Sequence, residues 1–210
     1  RHLYNGGYCR VGGADEAGRG PLAGPVVAAC VILPGECDFT LYKDSKKLTP
    51  LGRTKLHAEL VSINAFIGVG IASVEEIDCL NIHQASLLAM KKAVENLAEL
   101  PDYLLVDGKF PIPVTITQHA LIKGETRSAS IAAASIVAKQ TRDEIMGDYH
   151  EQFPQYNFVR HKGYPTAEHR FLVEKHGPCE IHRKNFKGVK EFLDSASFMQ
   201  DNDVPDTEPK

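Results

Sequence analysis

Residues 12–21 read Gly-Gly-Ala-Asp-Glu-Ala-Gly-Arg-Gly-Pro, and an uninterrupted apolar run at 26–33 follows almost at once. The apolar run demands burial on both faces, so it reads as an interior strand. The segment ahead of it carries two adjacent acids, Asp15 and Glu16, in what the glycines mark as a tight turn. Neighbouring carboxylates repel, and a fold gains little from placing them there. A hard divalent cation such as Mg²⁺ or Mn²⁺, which takes oxygen ligands, would remove the repulsion. Glycines allow a phosphate backbone to approach closely, and Arg19 offers a planar fork for phosphate. Metal, phosphate and close backbone approach together point toward nucleic-acid chemistry.

The chain has 210 residues, enough for one domain with a substantial core. No apolar run reaches membrane-spanning length, and the first residues lack the layout of a signal peptide, so a cytoplasmic protein without a membrane partner is expected. The five cysteines (Cys9, Cys30, Cys37, Cys79 and Cys179) form no C-x-x-C pair, which supports neither a disulfide framework nor a zinc knuckle. The net charge of −3 does not advertise nucleic-acid binding, but its distribution is uneven. Residues 160–190 carry eight Lys/Arg against three Asp/Glu, and the last twenty residues carry six acids against one lysine. An acidic tail, expected to be disordered over 199–210, masks a basic segment.

The pattern predicts an α/β domain: a loose lead-in over 1–10, a core over about 11–146, and a helical C-terminal part over about 147–198. Strands are expected at 11–14, ending at Asp15, and at 26–33, 65–72, 103–108 and 114–122. Thr49 and Pro50 supply an N-cap and a first-turn proline for a helix running to about Ser62. Ser73, with Glu76 three residues on, forms a capping box for the next helix. Residues 77–100 keep helical apolar spacing until Pro101. Ser128 or Ser130 opens a helix rich in small residues that passes Met146.

Asp15 and Asp107 share a context: each terminates an apolar run and has a glycine close by. If their strands are parallel neighbours, both carboxylates leave the C-terminal edge of one sheet, where open α/β sheets bind ligands. Glu16 would face away from Asp15 in a regular strand and reaches the same place only if the strand ends or bulges. Glu125 stands just ahead of the small-residue helix. Alone, Asp107 reads as a turn residue, and Glu125 divides evenly between helix-start electrostatics and metal binding. Together the four acids suit a site in which two ions, about 3.5–4 Å apart, clamp the attacking water and the leaving oxygen.

Residues 13–27 closely resemble the first motif of bacterial ribonuclease HII. Asp44-Ser45-Lys46-Lys47-Leu48 resembles the next and Val106-Asp107-Gly108 the third. Residues 130–139 with Thr141-Arg142-Asp143 are similar to the family's helix, and residues 161–166 with His182, Arg183 and Phe186 to its C-terminal motifs. The resemblance spans about residues 11–192. It implies a ribonuclease H-like fold, a central mixed five-stranded sheet flanked by helices with a helical C-terminal extension. It also implies an endonuclease that cleaves the RNA of RNA/DNA hybrids and incises 5′ to single ribonucleotides in duplex DNA, leaving 3′-hydroxyl and 5′-phosphate ends. By position, Asp15, Glu16 and Asp107 match the family's metal-binding acids, for Mn²⁺ or Mg²⁺. Glu125 takes the place of the fourth catalytic acid, where the family usually has Asp.

The same resemblance makes Gly18-Arg19-Gly20 a sensor of the ribose 2′-hydroxyl and its phosphate. It gives Tyr164 a place against the neighbouring deoxyribose; the other reading of Tyr164 is an anchor for the C-terminal helix. Lys46, Lys47, Lys139, Arg142, Lys162 and Arg183 are the candidate phosphate contacts, which would give affinity without base choice. His161, His169, His176 and His182 crowd one region without a zinc-ligand pattern, so substrate contact or structural hydrogen bonding is expected of them. A functional monomer is expected. Ribonuclease HIII and a silent hybrid-binding protein are the competing readings. The Gly-Arg-Gly run and the lack of an extra N-terminal domain speak against the first, and the retained acids against the second.

Overall fold

The computed structural model describes residues 2–42 and 48–193. Five strands, β1 (Val11–Ala17), β2 (Val26–Ile32), β3 (Phe66–Ala72), β4 (Tyr103–Asp107) and β5 (Gln118–Leu121), form one sheet in the order β3-β2-β1-β4-β5. β2 runs antiparallel to β1 and β3, whereas β1, β4 and β5 are mutually parallel, so the sheet is mixed. Every residue of β2 is buried, as its unbroken apolar run requires of a strand covered on both faces.

The helices are α1 (His2–Asn5), α2 (Pro50–Ser62), α3 (Val74–Leu80), α4 (Ile82–Glu95), α5 (Ala129–Gln152), α6 (Phe158–His161) and α7 (Ala167–His176). α4 covers β3 and β2. α5 joins Leu60 of α2 in a core with Ala29, Val31 and Leu33. The small residues of α5 permit close approach. At Gly13 of β1 even a methyl group would stand 2.3 Å from the Ile131 amide nitrogen, and the Ser130 hydroxyl donates to the Val11 carbonyl at 3.2 Å. The helix is thereby seated directly on the strand that carries Asp15.

Thr49 caps α2 through the Gly52 amide, and the Ser73–Glu76 capping box is present on α3. Four expectations need correction. Asp15 and Glu16 lie within a regular strand, since β1 pairs with β2 through Ala17 and the acids stand opposite Ala29 and Ala28. The helix expected across 77–100 breaks at Asn81, whose φ of 71° interrupts the spiral and whose side chain caps α4 through the His83 and Gln84 amides. The strand expected at 114–122 is short, because the Gln118 side chain binds the backbone of Ile112 and Val114 and turns the chain there. The lead-in contains the turn of α1, and the Tyr4 hydroxyl donates to the Leu33 carbonyl.

The chain divides into two compact units. Among the described residues, the first holds those up to Arg19 and from Pro25 to Ile145; the second holds Gly20–Gly24 and those from Met146 to 193. In the second unit a core of Ala23, Met146, Tyr156, Phe158, Val173 and Ile181 gathers α6 and α7. The early segment is stitched into it by backbone bonds from Leu22 to Gly163, from Gly24 to Ile181 and from Arg183 to Leu22. No helix among the described residues is long and apolar enough to cross a membrane. Asp44, Lys46, Lys47 and the acidic tail lie outside the described residues.

Candidate active site

Parallel pairing of β1 with β4 places Ala14 beside Val106, and one residue further along each strand stand Asp15 and Asp107. The two acids therefore leave the same sheet edge. Glu16 reaches them without a bulge. The β4 partner ends where β1 continues, so beyond Ala14 that flank of β1 is open. Asp15 is buried, and burial lifts its carboxyl well above the ordinary carboxylate range, with the charges of Glu16 and Asp107 adding to the rise. Glu16 is raised by burial, while Arg19 opposes the shift and Asp107 reinforces it. Three acids thus share one edge, where Asp107 makes both Asp15 and Glu16 harder to ionise.

Their hydrogen bonds are local. Asp15 Oδ1 accepts from the Glu16 amide at 2.7 Å, and the Ser135 hydroxyl of α5 also donates to the Asp15 carboxylate. Asp107 Oδ1 accepts from the Gly124 amide at 2.6 Å. Glu16 Oε1 meets Arg19 at 3.3 Å, but Glu16 Oε2 is buried with no hydrogen-bond partner. A buried, unbonded carboxylate oxygen beside two more acids is a donor set that suits a hard cation. As the side chains stand, no three His, Cys, Asp or Glu residues among those described form a ready metal-ligand group.

Glu16, Arg19 and Asp107 line one groove, of about 410 Å³, together with His83, Phe110, Lys109 and Lys123. Glu125 is buried and borders a different cavity, with Tyr42 and Ser130. Its link to the acids is the turn itself, since the Gly124 amide next to it holds Asp107.

Two sequence candidates are corrected. Arg142 and Arg183 were expected on phosphate, yet they are only 1% and 0% exposed. Arg142 Nε donates to the Pro25 carbonyl at 3.0 Å and Arg183 Nε to the Gly24 carbonyl at 2.9 Å. Both brace the backbone that follows the acid motif. Arg142 also explains Gly18, whose φ is +100° and where a Cβ would lie 2.2 Å from Arg142 Nε. Lys139 is paired with Asp143, which also binds Arg53 at 3.0 Å and so ties α5 to α2. Arg19 and Tyr164 are exposed, as contacts with a large ligand require.

Sequence reasoning missed Ser135, Lys109 and Lys123. Ser135 was visible as a polar residue inside the small-residue run. Each lysine lies within two residues of a glycine-flanked acid, and Lys123 holds a left-handed φ of 56°, a conformation lysine rarely adopts.

A sequence model of the family "Ribonuclease HII" matches residues 12–189. The ribonuclease HII of Desulfotalea psychrophila is 56% identical over 197 residues, covering 92% of this chain and 88% of the relative. The solved ribonuclease H2 of Pyrococcus horikoshii superposes with a TM-score of 0.75 at 25% identity, over 89% of this chain and 98% of that one. Bst-RNase HIII, solved in complex with Mn²⁺, gives 0.66 at 20% identity, over 90% of this chain and 70% of that one, which speaks for a shared fold. This chain thus belongs to the ribonuclease HII family of divalent-metal-dependent endonucleases acting on RNA/DNA hybrids.

Proposed function

We propose that the groove incises duplex DNA 5′ to a single embedded ribonucleotide, as well as cleaving hybrids, by hydrolysis assisted by two divalent ions. The observation that carries this reading is the acid cluster: Asp15 and Glu16 are raised by burial and by Asp107, and Glu16 Oε2 is buried unbonded. Asp15, Glu16 and Asp107 would hold the ions, Mg²⁺ or Mn²⁺. A divalent ion bound there supplies charge neutralisation at the phosphate and a more acidic water.

The chain's own residues do the rest. Ser135 and the Gly124 amide orient Asp15 and Asp107. Glu125 acts through the turn that carries that amide. Arg19, held near the acids by Glu16, exchanges this contact for a phosphate oxygen when substrate arrives. The left-handed backbone at Gly18 sets the direction of the Arg19–Gly20 segment, whose backbone reads the 2′-hydroxyl, a group absent from deoxyribose. Tyr164 packs on the adjoining deoxyribose, and Lys46, Lys47 and Lys162 contact phosphates.

The test is a DNA duplex with one ribonucleotide, compared with a long hybrid, in Mg²⁺ or Mn²⁺. Metal-dependent incision 5′ to the ribonucleotide, leaving a 3′-hydroxyl, is expected. Cutting of the hybrid alone would overturn the single-ribonucleotide reading, and binding without any cutting would overturn the assignment of the acids.

A further inference from the structure

Behind Tyr164, in the second unit, three buried histidines form a row that the chemistry above does not use, His169 bonded to His182 and stacked on His161. Their backbone partners fix every tautomer. The Cys179 amide donates to His182 Nδ1 at 3.0 Å, so the His182 proton sits on Nε2. That nitrogen lies 3.1 Å from His169 Nε2, which must accept, leaving the His169 proton on Nδ1. His169 Nδ1 then donates to the Tyr164 carbonyl at 3.0 Å. Beside it the Gly163 amide donates to His161 Nδ1 at 3.2 Å, and His161 Nε2 donates to the Tyr156 carbonyl at 2.7 Å. All six ring nitrogens are used, and all three rings are neutral.

The backbone so held is an unusual one. Lys162 and Gly163 are both left-handed, with φ of 51° and 81°, and a Cβ on Gly163 would stand 2.6 Å from the Ala23 carbonyl oxygen. Non-glycine residues adopt such a φ at a cost, and the surroundings must enforce it. The next residue is Tyr164, which is 40% exposed and whose ring edge stands 3.7 Å from where a Cβ on Gly20 would be.

We propose that His169, set by His182, is a positioning residue for Tyr164: its Nδ1–H fixes the Tyr164 carbonyl and with it the stance of the ring toward substrate. This rests on the reading of Tyr164 as a sugar contact. The row works only while neutral, because an added proton would set N–H against N–H across the His169–His182 contact. Burial supports that state, holding His169 down to about 4 and His182 to about 3. The groups that face the row are Tyr156, whose ring also meets His176, Arg160 and Glu168 near His161, and at His182 the Cys179 thiol, which has Glu180 near it. Glu168 is itself engaged by Asn157 and Arg160.

Two near-isosteric changes separate positioning from packing. The amide nitrogen of His169→Asn stands near the place of Nδ1, whereas that of His169→Gln reaches the place of Nε2. His169→Gln is expected to raise KM for the single-ribonucleotide duplex about five- to tenfold with kcat unchanged, the scale of one lost hydrogen bond. His169→Asn should stay within about twofold. The chain has no tryptophan, so Tyr164→Trp gives a sole indole reporter. Its fluorescence anisotropy should fall with His169→Gln and hold with His169→Asn. Should both His169 variants unfold, His182→Ala in the reporter background is expected to lower the anisotropy, and unchanged anisotropy there would overturn the proposal. Equal KM shifts for Gln and Asn would also overturn it. If Tyr164→Ala leaves KM unchanged, the sugar-contact reading fails, and the anisotropy alone then decides: an indole equally mobile with His or Gln at 169 would refute positioning.

Discussion

The sheet edge of the first unit and the histidine row of the second each gather three titratable side chains, and they treat the charge in opposite ways. At the edge, Asp15, Glu16 and Asp107 stay mutually unfavourable and one carboxylate oxygen is left unbonded. In the row, His161, His169 and His182 are neutral and every ring nitrogen has a partner. A satisfied polar network rigidifies a fold, whereas an unsatisfied one stores a demand for a ligand. The edge therefore reads as chemistry awaiting a cation and the row as scaffolding for a recognition residue.

The hardest blow to this contrast comes from the edge. Asp107→Asn is expected to lower kcat by about 10³-fold, the scale of losing a group that stabilises transition-state charge, while folding and substrate binding survive. Retained activity in a cleavage assay would remove Asp107 from the site.

The two regions should also answer pH in opposite directions. Asp15 has a folded pKa raised above its unfolded value, so the native state holds its proton more tightly. Its contribution to stability is therefore present at low pH and is lost as pH rises through the window between the two values. His169 and His182 are depressed to about 4 and about 3, from an unfolded value of about 6.5. Their contribution is present above that unfolded value and is lost as pH falls toward the folded values. Hydrogen exchange followed from neutral to mildly acid pH should show α7 losing protection below about pH 6. Protection of α7 that rises in acid would contradict the neutral row.

A smaller effect sharpens the boundary between chemistry and recognition. Arg19→Ala is expected to reduce single-ribonucleotide incision about tenfold more than hybrid cleavage, the scale of one charged hydrogen bond. Equal losses on both substrates would deny Arg19 a role in reading the ribose junction.

Much of the frame was legible in residues. The apolar run at 26–33 announced a doubly covered strand, and Thr49-Pro50 and Ser73–Glu76 announced helix starts. The shared context of Asp15 and Asp107 announced a common edge, which parallel pairing delivers. What stayed hidden depends on tertiary placement. A positive charge signals phosphate as readily as it signals a buried brace, and only burial separates Arg19 from Arg142 and Arg183. Helical apolar spacing continued through Asn81, so its capping role was masked. The reach of Glu16 depends on where a neighbouring strand ends, which no local pattern records.

The central claim is that the edge acids are held at a cost that a divalent ion relieves. Thermal melting at alkaline pH of the parent and of Asp15→Asn, each with EDTA and with Mn²⁺, tests it directly. With EDTA the Asn variant should melt above the parent, because it removes a buried charge and keeps the acceptor for the Glu16 amide. With Mn²⁺ the parent should rise and the variant should respond weakly. A variant that melts below the parent in EDTA, or that gains as much from Mn²⁺ as the parent does, would contradict the account.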